Sequence, residues 1–118
     1  MPESSIYRVM IENALDAFFL TKPDGTILDA NAAACEMFGY TLDEFKIAGR
    51  SGIIDPESPG LADRLEERRI KGKITCELIG VRKNGEKFPI WVSSVLFKEE
   101  GEEEKTFTII HDITERKR

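Results

Sequence analysis

The sequence predicts an α+β domain in which short helices are segregated from an antiparallel sheet. Three observations carry this. The 118 residues lie near the commonest length for one domain around one core. Apolar residues recur at helical spacing in the first residues and again in the middle of the chain. The last third reads as three consecutive strand-forming segments joined by turn chemistry.

Taken in order, residues 4–18 place Ile6, Val9, Met10, Ala14 and Ala17 at spacings of three and four, with Ser4 or Ser5 as N-cap, so an amphipathic helix opens the domain. Residues 18–21 and 26–30 are β-prone and flank Lys22-Pro23-Asp24-Gly25, which reads as a hairpin. Asn31 precedes the alanine-rich stretch 32–38; its side chain suits an N-cap and Gly39 a helix stop. Thr41 and Glu44 stand at the offset of a capping box, starting a helix that ends near Gly49. Residues 51–60 contain Gly52, Pro56, Pro59 and Gly60 and read as loop. Beyond them Leu61, Leu65, Arg68-Arg69 and Ile70 place apolar residues on one helical face until Gly72 ends the segment. Strands are expected at 73–82, 88–97 and 106–112. The first two are joined through Asn84-Gly85, a pair in which both residues tolerate positive φ, and the last two through the run Glu99-Glu100-Gly101-Glu102-Glu103-Glu104, a solvated loop.

Composition excludes several classes of function. A net charge of −5 argues against binding a phosphate backbone, which needs a clustered basic surface. Cys35 and Cys76 are the only cysteines; without metal-ligand spacing they make neither a zinc site nor a disulfide framework, and they read as two small buried side chains. No apolar run approaches the ~18 residues that span a bilayer, so this segment makes no direct membrane contact. The N-terminus lacks a signal peptide pattern, and the cytoplasm is the expected location, including as part of a membrane-anchored longer protein.

The order of elements, together with Asp24-Gly25-Thr26-Ile27-Leu28-Asp29-Ala30-Asn31, Met37-Phe38-Gly39-Tyr40, Arg82-Lys83-Asn84-Gly85 and Asp112-Ile113-Thr114-Glu115-Arg116-Lys117, resembles the PAS family along almost the full chain. The resemblance implies a five-stranded antiparallel sheet in the order 2-1-5-4-3, with helices over one face enclosing a pocket. It divides the chain into an N-terminal helix at 1–17, serving as cap or dimer element, a PAS core at 18–112 and the start of a signalling helix at 113–118. It implies a sensory role, commonly upstream of a histidine kinase, a cyclic-nucleotide enzyme or another PAS unit.

Departures from the cofactor-binding subfamilies narrow this. The sequence is similar to flavin-binding photosensors around Gly49-Arg50-Ser51-Gly52, but Gly52 stands where they carry the adduct-forming cysteine. Their flavin-holding polar positions fall on Gly80, Ile90 and Ile110, which offer no side-chain hydrogen bond. Haem-binding relatives use an axial histidine on the long helix, and residues 61–71 contain none; His111, the single histidine, is read as an exposed strand residue. The cofactor therefore stays open between a small, largely apolar ligand and none.

Alternation along the strands separates two faces. The inner set, Cys76, Leu78, Gly80, Ile90, Val92, Ser94, Thr108 and Ile110, is expected to line the pocket together with Met37, Ile54, Leu61 and Leu65 from the helix side. Two readings compete for this space, a ligand cavity and a core filled by its own side chains. The outer set, Ile79, Val81, Trp91, Val95, Phe97, Phe107 and Ile109, is equally apolar, where a solvent-facing sheet alternates to polar. That predicts a covered surface, and a homodimer using this face and the N-terminal helix is expected.

The exit strand runs into Asp112, Ile113 and Thr114, the expected output junction. Thr114 is placed to cap a helix starting at Glu115, and Asp112 and Arg116 are spaced to pair if the turn is helical. An enzyme is the rival reading, but Asp24, Asp29, Asp55 and Asp63 lie in turns or on polar faces without the paired spacing of an acid and a base. A ligand-free dimerisation module is the other alternative.

Overall fold

A computed structural model describes Val9, Glu12 and residues 14–117. The helix expected at 4–18 lies outside the described residues except for Val9 and Glu12, which are helical, and for 14–18, which are not. Strand β1 (Ala17–Thr21) already includes Ala17 and Phe18. It pairs antiparallel with β2 (Ile27–Ala30) across the expected turn, where Asp24 Oδ1 accepts the Thr26 N–H at 2.9 Å.

Helix α1 (Ala32–Phe38) is capped as the sequence predicts, with Gly39 in the left-handed region at its end. The fully buried Asn31 does more than cap. Its Oδ1 accepts the Ala34 N–H at 3.0 Å and the Phe18 N–H at 2.9 Å, while its Nδ2 donates to the Asp16 carbonyl at 3.1 Å. One side chain thus ties the helix start to the first strand.

Helix α2 (Leu42–Ile53) opens with the full Thr41/Glu44 capping box. It runs further than expected, through residues assigned to loop, but it is broken at Gly49, where φ 65° and ψ −173° suit glycine far better than an L side chain. The kink lets the Arg50 N–H donate to the Gly25 carbonyl at 2.9 Å, docking the second half of α2 on the β1–β2 hairpin. Helix α3 (Leu61–Lys71) follows and stops at Gly72. Its expected face needs one correction: Ile70 is 67% exposed, and Arg68 is buried at 7%. Arg68 stands seven residues after Leu61 and three after Leu65, on the inward stripe; Ile70 is a third of a turn or more away from it.

Strands β3 (Lys73–Val81), β4 (Lys87–Phe97) and β5 (Lys105–Asp112) complete one five-stranded sheet in the order β2-β1-β5-β4-β3. The β3–β4 turn forms where Asn84-Gly85 predicts, but only Gly85 takes positive φ; Asn84 works through its side chain, which accepts the Glu86 N–H at 2.9 Å. A last turn of helix, α4 (Thr114–Lys117), leaves β5.

Helices cover one face. The core between them and the sheet centres on Phe19, Phe38 and Phe45, with Phe19 edge-on to Phe45 at 5.2 Å between centroids and Phe88 tilted against Phe38 at 5.4 Å. Such edge contacts add about 0.5–1.5 kcal/mol each beyond area burial.

Candidate functional site

Burial along β3, β4 and β5 alternates in phase with the two faces read from the sequence. On the inner face lies a cavity of about 40 Å³, bounded by the part of α2 after Gly49, by α3 and by the sheet with the β1–β2 hairpin. Eight of the sequence-derived candidates line it: Ile54, Leu61, Leu65, Leu78, Val92, Ser94, Thr108 and Ile110. Four do not. Met37 and Cys76 pack against the core from its edges, half-buried. Ile90 is wholly enclosed in the core, and a Cβ on Gly80 would meet the Phe88 ring at 2.9 Å and Ile90 Cγ2 at 3.1 Å. The large ring of Phe88 fills the space beside Gly80, so that end of the inner face is solid. The same contacts occupy two of the three positions aligned with flavin-holding residues.

The lining also includes residues the sequence reading missed, and two of them change the chemistry. Arg50 and Arg68 both enter the wall, alongside Phe19, Thr21, Ile27, Ile53 and Ile74. Arg50 Nη1 and Arg68 Nη2 each donate to the Pro23 carbonyl at 3.2 Å, so the two guanidiniums converge on one oxygen. Arg68 Nη1 also donates to Ser94 Oγ at 3.1 Å, and Ser94 Oγ is 2.9 Å from Thr108 Oγ1. A polar chain therefore runs from the hairpin through α3 and β4 to β5. The cue for Arg68 was its helical phase with Leu61 and Leu65. Arg50 carried no such cue, because its position depends on the Gly49 kink. Burial lowers the pKa of both arginines, and for Arg68 the nearby Arg50 charge adds to it.

At the far end of β5, Asp112 is the centre of the junction. Its Oδ1 accepts the Thr114 N–H at 2.9 Å and the Thr114 hydroxyl at 2.5 Å, and its Oδ2 faces Arg82 Nη2 at 3.2 Å. Asp112, not Thr114, thus supplies the cap of α4, because Thr114 is already inside the helix. Arg82, not Arg116, is its ion-pair partner. Burial raises the Asp112 carboxyl, but the Thr114 donors and Arg82 outweigh it and hold its pKa below the ordinary value. Ile113 is buried and its N–H donates to the Pro89 carbonyl at 3.1 Å. Arg82 also donates to the Met37 carbonyl and lies 3.8 Å over the Phe88 ring.

On the outer face Ile79, Val81, Phe97, Phe107 and Ile109 are half-buried, and Trp91 and Val95 are exposed at 41% and 42%. A groove of about 490 Å³ there is lined in part by Val95, Phe107 and Ile109. His111 is exposed on this side, 2.6 Å from Asp16.

Other candidate groups are occupied in structure. Asp55, read as lying in a turn or on a polar face, is buried at 7% and held by Lys87 at 3.0 Å and the Glu57 N–H. Cys35 and Cys76 are half-buried free thiols, and burial raises the pKa of both. Among the described residues no cluster of three metal-ligating side chains occurs, and no helix is long and apolar enough to cross a membrane.

A family model described as PAS domain matches residues 15–115. The chain belongs to the PAS domain family. Among solved structures, this PAS domain is similar to a domain of a sensory box sensor histidine kinase/response regulator from Geobacter sulfurreducens, at 28% identity over 93% of this chain and 94% of that one, with a TM-score of 0.77. A PAS domain from a two-component sensor histidine kinase superposes with a TM-score of 0.81 at 20% identity, covering 94% and 96% of the two chains. A PAS domain from Colwellia psychrerythraea gives a TM-score of 0.81 at 21% identity over 97% and 99%. A search of curated proteins gives no match.

Proposed function

We propose that this PAS domain is a sensory and signal-transduction module of a longer multidomain protein such as a cytoplasmic histidine kinase. In this reading it passes the state of its cavity to a C-terminal helix through Asp112, Ile113 and Thr114, without catalysing a reaction. The observation that carries this reading is the continuity of parts. The chain Arg68–Ser94–Thr108 reaches β5 from the cavity, and β5 ends in a carboxylate that caps the outgoing helix. Thr108, Ile110 and Asp112 share one face of that strand, with about 13 Å between the first and the last. A shift of β5 that follows cavity occupancy therefore reaches the α4 cap directly. The likeness to a sensory box histidine kinase domain at 28% identity supports the same role.

A ligand shifts such a switch only if it binds its two arrangements unequally. The second arrangement is expected to differ at the outer face, where Trp91, Val95, Phe107 and Ile109 pack against a second copy about a two-fold axis, with the N-terminal segment beside them. Output of the full-length protein should change with Asp112→Ala and with Thr114→Ala; unaltered output in both would remove the junction from the account.

The small size of the cavity favours a second reading, a dimerisation module that binds nothing. Native mass spectrometry of the purified protein separates the two, since a sensor carries or takes up a small molecule and a dimeriser does not.

A further inference from the structure

One buried and one half-buried guanidinium, neither within ion-pair distance of a carboxylate, are an unusual wall for an otherwise apolar cavity. Buried charge is tolerated when paired, and like charges brought together raise its cost. Arg68 is 7% exposed and Arg50 is half-buried. Among the described residues neither makes an ion pair. Asp24 acts on Arg50, and Glu104 on Arg68, only from beyond ion-pair distance. The bonds they do make go to neutral oxygens, the Pro23 carbonyl and Ser94 Oγ, and these leave several N–H donors of each fork unused. The rest of the wall is mainly apolar: Ile27, Ile53, Leu78, Val92 and Ile110.

We propose that the cavity is a carboxylate site: a short-chain monocarboxylate places its anionic head between Arg50 and Arg68 and its alkyl tail among Ile53, Leu78, Val92 and Ile110. The planar guanidinium fork matches a carboxylate, and a shared anion relieves the repulsion between the two cations. Size sets the chain length. A water needs roughly 10–15 Å³ of such space, so the 40 Å³ here takes a ligand of about three to four non-hydrogen atoms, the size of acetate. The head meets Arg68, which holds Ser94 and through it Thr108, so ligand binding and the route to β5 use the same side chains. This deepens the sensory reading and rests on it for its consequence, though not for the binding itself.

The test is an NMR amide titration of the whole chain with sodium acetate at fixed ionic strength, with acetamide and sodium chloride as controls. Saturable shifts at Gly25, Ser94 and Thr108 with acetate, and none with acetamide, are expected. Arg68→Met and, as the variant less exposed to folding defects, Arg50→Met should each weaken binding by at least about tenfold, the worth of one charge-assisted bond. Equal shifts with acetate and acetamide, no saturable shift with acetate, or wild-type binding in folded Arg50→Met would each overturn the site. Loss of the site with Asp112→Ala still altering output leaves the signalling reading standing. Acetate binding with output indifferent to Asp112 and Thr114 does the reverse.

Discussion

Arg82 and Asp112 face one another at 3.2 Å, joining the turn after β3 to the last residue of β5. Arg82 also holds Glu86 and the Met37 carbonyl, so the end of α1, the β3–β4 turn and the exit strand meet at one guanidinium. Because Asp112 uses its other oxygen on Thr114, the start of α4 is fixed to this meeting point. Replacing Asp112 with alanine should cost about 1 kcal/mol, the usual worth of a helix cap, and should loosen α4 far more than the sheet. Amide hydrogen exchange, comparing Thr114–Lys117 with β4, checks both parts.

The pH dependence follows from the same carboxylate. Its folded pKa is held below the unfolded value of about 3.9, so its contribution is present above that value and is lost as pH falls through the folded pKa. The Tm difference between wild type and Asp112→Asn should be constant near neutral pH and shrink below about pH 4. A difference that grows on acidification would contradict the sign.

Gly80→Ala should destabilise the fold, because the new methyl would stand 2.9 Å from the Phe88 ring and against Ile90. Overpacking of this kind costs about 1–3 kcal/mol. Urea denaturation measures it, and Gly80→Ala with Phe88→Leu should recover part of the loss.

Much of this molecule was legible because its signals are local. The Asn31 cap, the Thr41/Glu44 box, the stops at Gly39 and Gly72 and strand alternation each depend on neighbours within a few residues, and each placed its element correctly, whereas the stop expected near Gly49 is a kink inside α2. The cavity was half legible. Alternation named the β-strand lining, but Gly80 and Ile90 were lost to Phe88, whose ring volume a pattern of faces does not register. Arg68 was hidden by its type: charge suggests solvent, yet its phase on α3 points inward. Arg50 and the ion-pair partner of Asp112 depend on contacts across the fold, where sequence spacing suggested Arg116 and the structure supplies Arg82.

The outer face gives a prediction about assembly. If Trp91 and Val95 are buried by a second copy, light scattering should show twice the monomer mass at high concentration. Val95→Glu should then shift the protein to monomer, raising the dissociation constant by at least about tenfold for a desolvated charge. A monomeric wild type at high concentration would end that part of the account.

The central claim is that the cavity is read at α4 through β5 and Asp112. Hydrogen exchange at residues 113–117 in wild type, Thr108→Val, Asp112→Ala and the double variant tests it most directly. Thr108→Val removes the link to Ser94 at the cavity wall. The account predicts that it changes exchange at 113–117 severalfold in the wild-type background and leaves it unchanged in Asp112→Ala. Exchange at 113–117 that ignores Thr108→Val, or responds equally in both backgrounds, would contradict it.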